Sequence, residues 1–314
     1  MNCVRNMSLA AALALVAGTA SAQAPAGKDW PTYGGNQWNT RYSGLTAINA
    51  KNVNQLVPRK IFQTGIPKLG SFENTPIIVG NMAFVTTPYN TVIAYNLDQN
   101  KEVWRYEHKL GTTIYCCGPN NRGVGIHGPH IYMGTLDARL VAFEAATGKV
   151  VWDIEVADPT YGYSITHAPL VVGNMVIVGV SGGEYGIRGH VTAYDAVSGK
   201  QVWRWYSIPA PKGDPTFDPI APNGWWGDWV KSTPEGNGLN RDIGKEKADS
   251  AKHADAWQRG GGGVWMTPAH DPQTGLIYVA VGNPSPDLDG SQRPGDNLYT
   301  DAVVAIESAT GKTK

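Results

Sequence analysis

The sequence predicts an all-β fold built from propeller blades, and three observations carry that prediction. First, residues 94–104 (AYNLDQNKEVW) recur as 142–152 (AFEAATGKVVW) and 193–203 (AYDAVSGKQVW), and the pattern opens again at 305–312 (AIESATGK). The starts lie 48, 51 and 112 residues apart, the last interval being about two periods. Periods near ~40 to 50 residues, each holding four short strands, are the signature of propeller blades. Second, 38 Gly and 21 Pro are spread along 314 residues, which suits frequent tight turns. Third, helical periodicity is confined to the polar stretch 241–257, so no helical fold competes.

The chain opens with Arg5, a short apolar run at 9–17 (LAAALALVA) and small-residue cleavage sites at Ala20-Ser21-Ala22 or Ala22-Gln23-Ala24. Such a run falls short of a membrane span and reads as a secretory signal peptide over residues 1–22. The mature chain, 23–314, then keeps two cysteines, the neighbours Cys116 and Cys117. Lys+Arg and Asp+Glu both number 26, and no run of five like charges occurs. That balance speaks against a nucleic-acid partner and against a polybasic membrane patch. The length suits two ordinary domains or one large all-β domain.

One unit reads as a four-stranded meander: 76–79, turn at Gly80-Asn81, 82–87, turn at Tyr89-Asn90, 92–95, turn at Gln99-Asn100, then 103–106. Residues 169–180 repeat the opening. The closing Trp of each unit offers a flat surface to the neighbouring blade. Residues 209–259, with Trp225, Trp226 and Trp229, lack a blade's alternation and read as an insertion whose tryptophans either cap a cavity or pack the insert down. His127, His130, His167, His190 and His270 show no metal-ligand spacing and read as structural.

Three segments stand out chemically. The first is Cys116-Cys117-Gly118-Pro119-Asn120-Asn121-Arg122-Gly123. The second, Ser181-Gly182-Gly183-Glu184-Tyr185-Gly186-Ile187-Arg188-Gly189, lies between the second and third strands of its blade. Its glycines let backbone N–H groups approach an anion, and Glu184 adds two hard oxygens, although a surface Glu in a Gly-rich hairpin would look the same. The third is Asn283 in Val281-Gly282-Asn283-Pro284, whose amide oxygen suits a hard cation and whose Pro also suits a plain turn.

With the repeat, the start Trp30-Pro31-Thr32-Tyr33-Gly34-Gly35-Asn36 and Thr40-Arg41-Tyr42-Ser43, and Arg293-Pro294-Gly295-Asp296-Asn297, the sequence resembles the pyrroloquinoline quinone (PQQ) dependent methanol/ethanol dehydrogenase family. The resemblance covers essentially the whole mature chain. It implies an eight-bladed β-propeller with tryptophan-docking repeats, incomplete over this length, that oxidises primary alcohols to aldehydes. Cofactor contacts are implied at Glu73, Cys116, Cys117, Arg122, Thr166, Ser181, Gly182, Gly183 and Trp265. Metal ligands are implied at Glu184 and Asn283, for Ca²⁺ or a lanthanide.

In the family the cysteine pair is a vicinal disulfide packed on one face of PQQ. Consecutive Cα atoms lie about 3.8 Å apart, below the usual disulfide span, so such a ring is strained; free or metal-binding thiols are the alternative. Trp265 matches the Trp on the cofactor's other face, and Gly263 stands where relatives usually have Thr. Implied partners are a small alcohol and a cytochrome c, in the periplasm, with a homodimer left open. The family's catalytic Asp falls beyond Lys314, so no catalytic residue is assigned and the chain is expected to be a fragment. Two rival expectations are a non-catalytic propeller scaffold for protein assembly and a quinoprotein oxidising sugars or aldehydes.

Overall fold

In the computed structural model, residues 26–66 and 70–314 are described, so the signal-peptide assignment lies outside the described residues. Fifteen strands form four antiparallel meanders. The first blade holds β1 (Ile77–Val79), β2 (Met82–Thr86), β3 (Thr91–Asn96) and β4 (Lys101–Glu107). The second holds β5 (Gly125–His127), β6 (His130–Gly134), β7 (Arg139–Glu144) and β8 (Val150–Glu155). The third holds β9 (Leu170–Val172), β10 (Met175–Gly179), β11 (His190–Asp195) and β12 (Gln201–Tyr206). The fourth has three strands, β13 (Ala269–Asp271), β14 (Leu276–Val281) and β15 (Ala302–Glu307).

Register fixes the repeat at the level of single residues. Between the third and fourth strands the pairing shifts at Ala94/Tyr95, Ala142/Phe143 and Ala193/Tyr194, the same place in each of the first three blades. Such a shift bends the outer strand and increases its twist. The core lies between blades: Ile77 and Phe84 pack with Ile131 and Phe143, Tyr132 and Leu140 with Val176 and Val178, Leu170 and Ile177 with Val279 and Ile306. Each blade therefore buries its apolar faces on its neighbours, as a propeller requires.

The closing tryptophans do what the pattern predicts and add a specific bond. Nε1 of Trp104, Trp152 and Trp203 donates to the carbonyl of Ala145, Ala196 and Ser308 in the next blade, at 3.0, 3.3 and 2.9 Å. Three residues after each acceptor comes a glycine, Gly148, Gly199 or Gly311, at φ 73°, 69° and 71°. A Cβ there would lie 2.5, 3.1 and 2.6 Å from the docked indole. Glycine is thus required twice, for the left-handed turn and for the stacked ring. The first blade has Asn100 at this position, φ 53°.

Two expectations need correction. The 112-residue interval suggests a further repeat, about five units in all, whereas four sheets form among the described residues. Residues 207–268 connect β12 to β13 without a named strand; an insertion as long as one period mimics a skipped blade. Asn283, whose spacing from Glu184 in the sequence reads as about two periods, therefore belongs to the very next blade.

Within the insertion the polar stretch gives one helix, α1 (Ile243–Ser250), whose N-cap Asp242 accepts the Lys245 N–H at 3.0 Å. Trp225 is buried, and the carbonyls of Trp226 and Trp225 accept the N–H groups of Asp296 and Leu298. Arg241 bridges Glu246 and Asp296 at 2.5 and 2.6 Å. The insertion is packed down on the β14 to β15 connection, and none of Trp225, Trp226 and Trp229 lines the cavity described next.

Candidate cofactor and metal site

In a meander, the connection from second to third strand and the crossover to the next blade emerge at the same end. The second-to-third connections grow along the chain: residues 87–90, 135–138, 180–189 and 282–301, or 4, 4, 10 and 20 residues. The two long ones carry Glu184 and Asn283. The crossovers 108–124, 156–169 and 207–268 carry Cys116, Cys117 and Arg122, then Thr166, then Trp265. Glu73 precedes β1.

These segments are stitched by backbone bonds. Ser164 and Ser181 exchange N–H···O bonds at 3.2 and 2.7 Å. Arg122 N–H donates to Thr166 O at 2.9 Å, and Thr75 N–H to Arg122 O at 3.1 Å. The glycine run before Trp265 threads between the two long connections: Gly261 N–H reaches Ile187 O, Gly262 N–H reaches Asn283 O, and Gly282 N–H returns to Gly263 O, all within 2.8–2.9 Å. A Cβ at Gly261 would meet Ser285 N at 2.8 Å, and one at Gly182 (φ 114°) would run into Gly162 O. Close approach of chain to chain is what these glycines permit.

The result is a cavity of about 310 Å³ lined by all eleven residues singled out in the sequence. Arg122 pairs with Glu73 at 2.5 Å, and its guanidinium lies 5.3 Å from the ring centroid of Trp265. Thr166 and Ser181 hydroxyls are 2.9 Å apart. The Cys116 and Cys117 Sγ atoms are 2.6 Å apart, with Cys117 at φ 60°. Burial, then hydrogen bonds to Cys117 and Glu184, push the Cys116 thiol well above its ordinary range. Cys116, Cys117 and Glu184 offer ligand atoms within 4.8 Å of one another, the one such group among the described residues, so no histidine cluster rivals it. Trp265 keeps 46 % of its surface exposed, a large flat face turned to the cavity.

Fixed supports surround the pocket. His167 is fully buried: Nδ1 lies 2.8 Å from Ala168 O and Nε2 accepts the Gly179 N–H at 2.8 Å, tying the Thr166 crossover to β10. Burial holds its pKa down at about 4. Near the Cys crossover, Asp137 contacts His108 Nε2 at 2.9 Å and accepts from Thr135 and from the Gly111 N–H. Burial would raise this carboxyl, but the hydrogen bonds from His108, Thr135 and Gly111 outweigh it and hold it near 2.

Sequence reasoning missed two members of the site region. Asn120 lines the cavity and its Nδ2 donates to Cys117 O at 3.1 Å, bracing the cysteine pair. Its position two residues before Arg122 was the only signal. Asp287 accepts from Asn283 Nδ2 at 3.0 Å, and its place four residues on in a loop gave none.

A row of blades whose connections at one end enclose a hard carboxylate and amide beside an exposed tryptophan and a guanidinium defines a cofactor-binding propeller domain. The PQQ glucose/ethanol/alcohol dehydrogenase β-propeller domain matches residues 30–231 and 240–314, and the chain belongs to that family. It is 40% identical over 281 residues to the lanthanide-dependent methanol dehydrogenase of Methylorubrum extorquens, covering 88% of this chain and 44% of that protein. It is 37% identical over 293 residues to the quinohemoprotein alcohol dehydrogenase ADH IIB of Pseudomonas putida, covering 91% and 39%. A solved europium-containing methanol dehydrogenase superposes with TM-score 0.73 at 33% identity, over 91% of this chain and 48% of that one. The chain thus spans less than half the length of these relatives.

Proposed function

We propose that this cavity binds PQQ together with Ca²⁺ or a lanthanide, and that the protein oxidises primary alcohols to aldehydes and passes electrons to a cytochrome c in the periplasm. The observation that carries the reading is the convergence of eleven residues, from three crossovers, two long connections and the segment before β1, on one cavity. The donor set fits the groups. Glu184 and Asn283 are hard oxygen donors, and Asn283 turns its amide nitrogen to Asp287 and Pro284 O, which leaves Oδ1 free for a cation. Arg122 offers a planar fork to a cofactor carboxylate, with Trp265 as a stacking face. Gly183 and Gly263 leave room that a Cβ would occupy: at Gly183 it would sit 3.6 Å from both Asn283 O and Gly263 N.

When bound, the cation polarises a quinone carbonyl of PQQ, which is the hydride acceptor in this chemistry. The chain's residues supply orientation and charge. Arg122 balances anionic charge, Thr166 and Ser181 present hydroxyls, and Cys116 with Cys117, a vicinal disulfide by the family resemblance, lines the wall as a sulfur face.

Reconstitution tests this. PQQ with Ca²⁺ or La³⁺ is expected to quench tryptophan fluorescence in the parent, and the full gene product is expected to reduce a dye with short primary alcohols. Absence of PQQ binding with either cation would favour the scaffold reading, and turnover confined to sugars would assign a sugar-oxidising quinoprotein.

A further inference from the structure

A second cavity, of about 590 Å³, opens between the crossover 156–169, the connection 180–189, β12 and the insertion, and it shares no lining residue with the cofactor cavity. Its floor is His190 on β11, only 2 % exposed. Nδ1 lies 3.1 Å from Thr192 Oγ1, and that hydroxyl accepts from Arg204 Nε at 2.9 Å, which leaves its own proton for Nδ1. Burial, then the charges of Arg204 and Arg188, push the imidazole pKa well below its ordinary range and keep the ring neutral. The ring N–H is therefore on Nε2, which has no hydrogen-bond partner among the described residues. A buried donor in a cavity wall calls for an acceptor that enters the cavity.

The walls are flat and the charge is positive. Tyr163 and Tyr206 have ring centroids 5.9 Å from the imidazole, and Tyr185 is held over Gly162, where a Cβ would stand 2.6 Å from its ring. Two guanidinium groups, Arg204 and at the mouth Arg259, face one carboxylate, Asp158, whose Oδ1 is taken by the Thr160 N–H and hydroxyl. Arg259 pairs with Asp255 at 3.1 Å, but both side chains are more than 60 % exposed, so solvent leaves that pair weak. Arg204 and His190 share Thr192 Oγ1 as a partner, which places a cationic group beside the neutral donor.

We propose that this cavity binds a small aromatic monocarboxylate, with the carboxylate on His190 Nε2 beside Arg204 and the ring between the tyrosines. An unpartnered donor selects an acceptor, the excess of guanidinium selects an anion, and tyrosine walls select a flat ring over a compact oxyanion. The site stands apart from the PQQ reading.

Equilibrium dialysis of labelled benzoate against the full gene product tests it. Benzoate is expected to bind, benzamide and cyclohexanecarboxylate about fivefold more weakly, and inorganic phosphate is expected not to displace it. His190→Phe, which keeps a ring and removes the N–H, should weaken benzoate about tenfold. Arg259→Gln and Tyr161→Ala alter exposed positions, so they decide the matter if His190→Phe does not fold; each should weaken benzoate about threefold. Arg122→Gln, in the cofactor cavity, should leave benzoate affinity unchanged. No benzoate binding, equal binding of benzamide, or displacement by phosphate overturns the proposal. Loss of binding in Arg122→Gln with none in Arg259→Gln and Tyr161→Ala places benzoate in the cofactor cavity, which overturns the second site and leaves the PQQ reading standing.

Discussion

The first two blades and the last two differ at one place in the repeat. In blades one and two the second-to-third strand connection has 4 residues, and it spends its polar groups on the fold: Asn90 Oδ1 accepts the Leu136 N–H, and Asp137 ties His108 and Gly111. In blades three and four it has 10 and 20 residues, and its polar groups, Glu184 and Asn283, line the cavity. The first three blades share their two-residue first turn and the pairing shift between third and fourth strands, and the fourth keeps the same antiparallel order over three strands. Chemistry enters this molecule through loop length, with the blades left as an unchanged frame.

If that division is real, substitutions on the two sides should separate stability from binding. The largest effect is expected at Glu184. Glu184→Gln should weaken cation affinity on the order of 100-fold, since a charged hard ligand is replaced by a neutral one, while leaving the melting temperature within a few degrees. A large fall in melting temperature would place Glu184 in the frame.

The converse substitution is Asp137→Asn, expected to cost about 2 kcal/mol of folding stability near neutral pH and to leave cation affinity unchanged. The sign in pH follows from the depressed carboxyl, near 2 against an ordinary 3.8. Its stabilisation is complete above about pH 4 and is lost as pH falls toward 2, and the variant should lose that dependence in acid unfolding curves. His167 adds a window of its own. Held neutral at about 4 against 6.5, it should make the parent lose stability as pH falls from about 6.5 to 4, because the unfolded chain takes up the proton first. The smallest effect is expected at Ser164, whose buried hydroxyl has no partner among the described residues although its backbone pairs with Ser181. Ser164→Ala should change stability and PQQ affinity by no more than about 0.5 kcal/mol. A larger loss would show that side chains hold the long connection.

Legibility in the sequence follows the same division. Ala, Gly-Lys and Trp recur at fixed offsets because each blade repeats one docking geometry, so the junctions at Trp104, Trp152 and Trp203 could be read directly. The number of sheets could not, because an insertion close to one period long imitates an absent repeat. Eleven site residues were legible through resemblance in their motifs, and the cavity brings all of them together. Asn120 and Asp287 were not, since each acts through a neighbour: one donates to Cys117 O, the other accepts from Asn283. The glycine at 182 was read for an anion's sake, and the structure shows it crowded by backbone.

Tryptophan docking also imposes an order in time on the growing polypeptide. Each indole donates forward, to a carbonyl 41, 44 and 105 residues later for Trp104, Trp152 and Trp203. At about 5–20 residues per second, the first two acceptors emerge roughly 2–9 s after their tryptophan, while that of Trp203 emerges after roughly 5–20 s. The third blade therefore waits longest with its outer strand undocked, and the insertion that braces the finished site is what lengthens the wait.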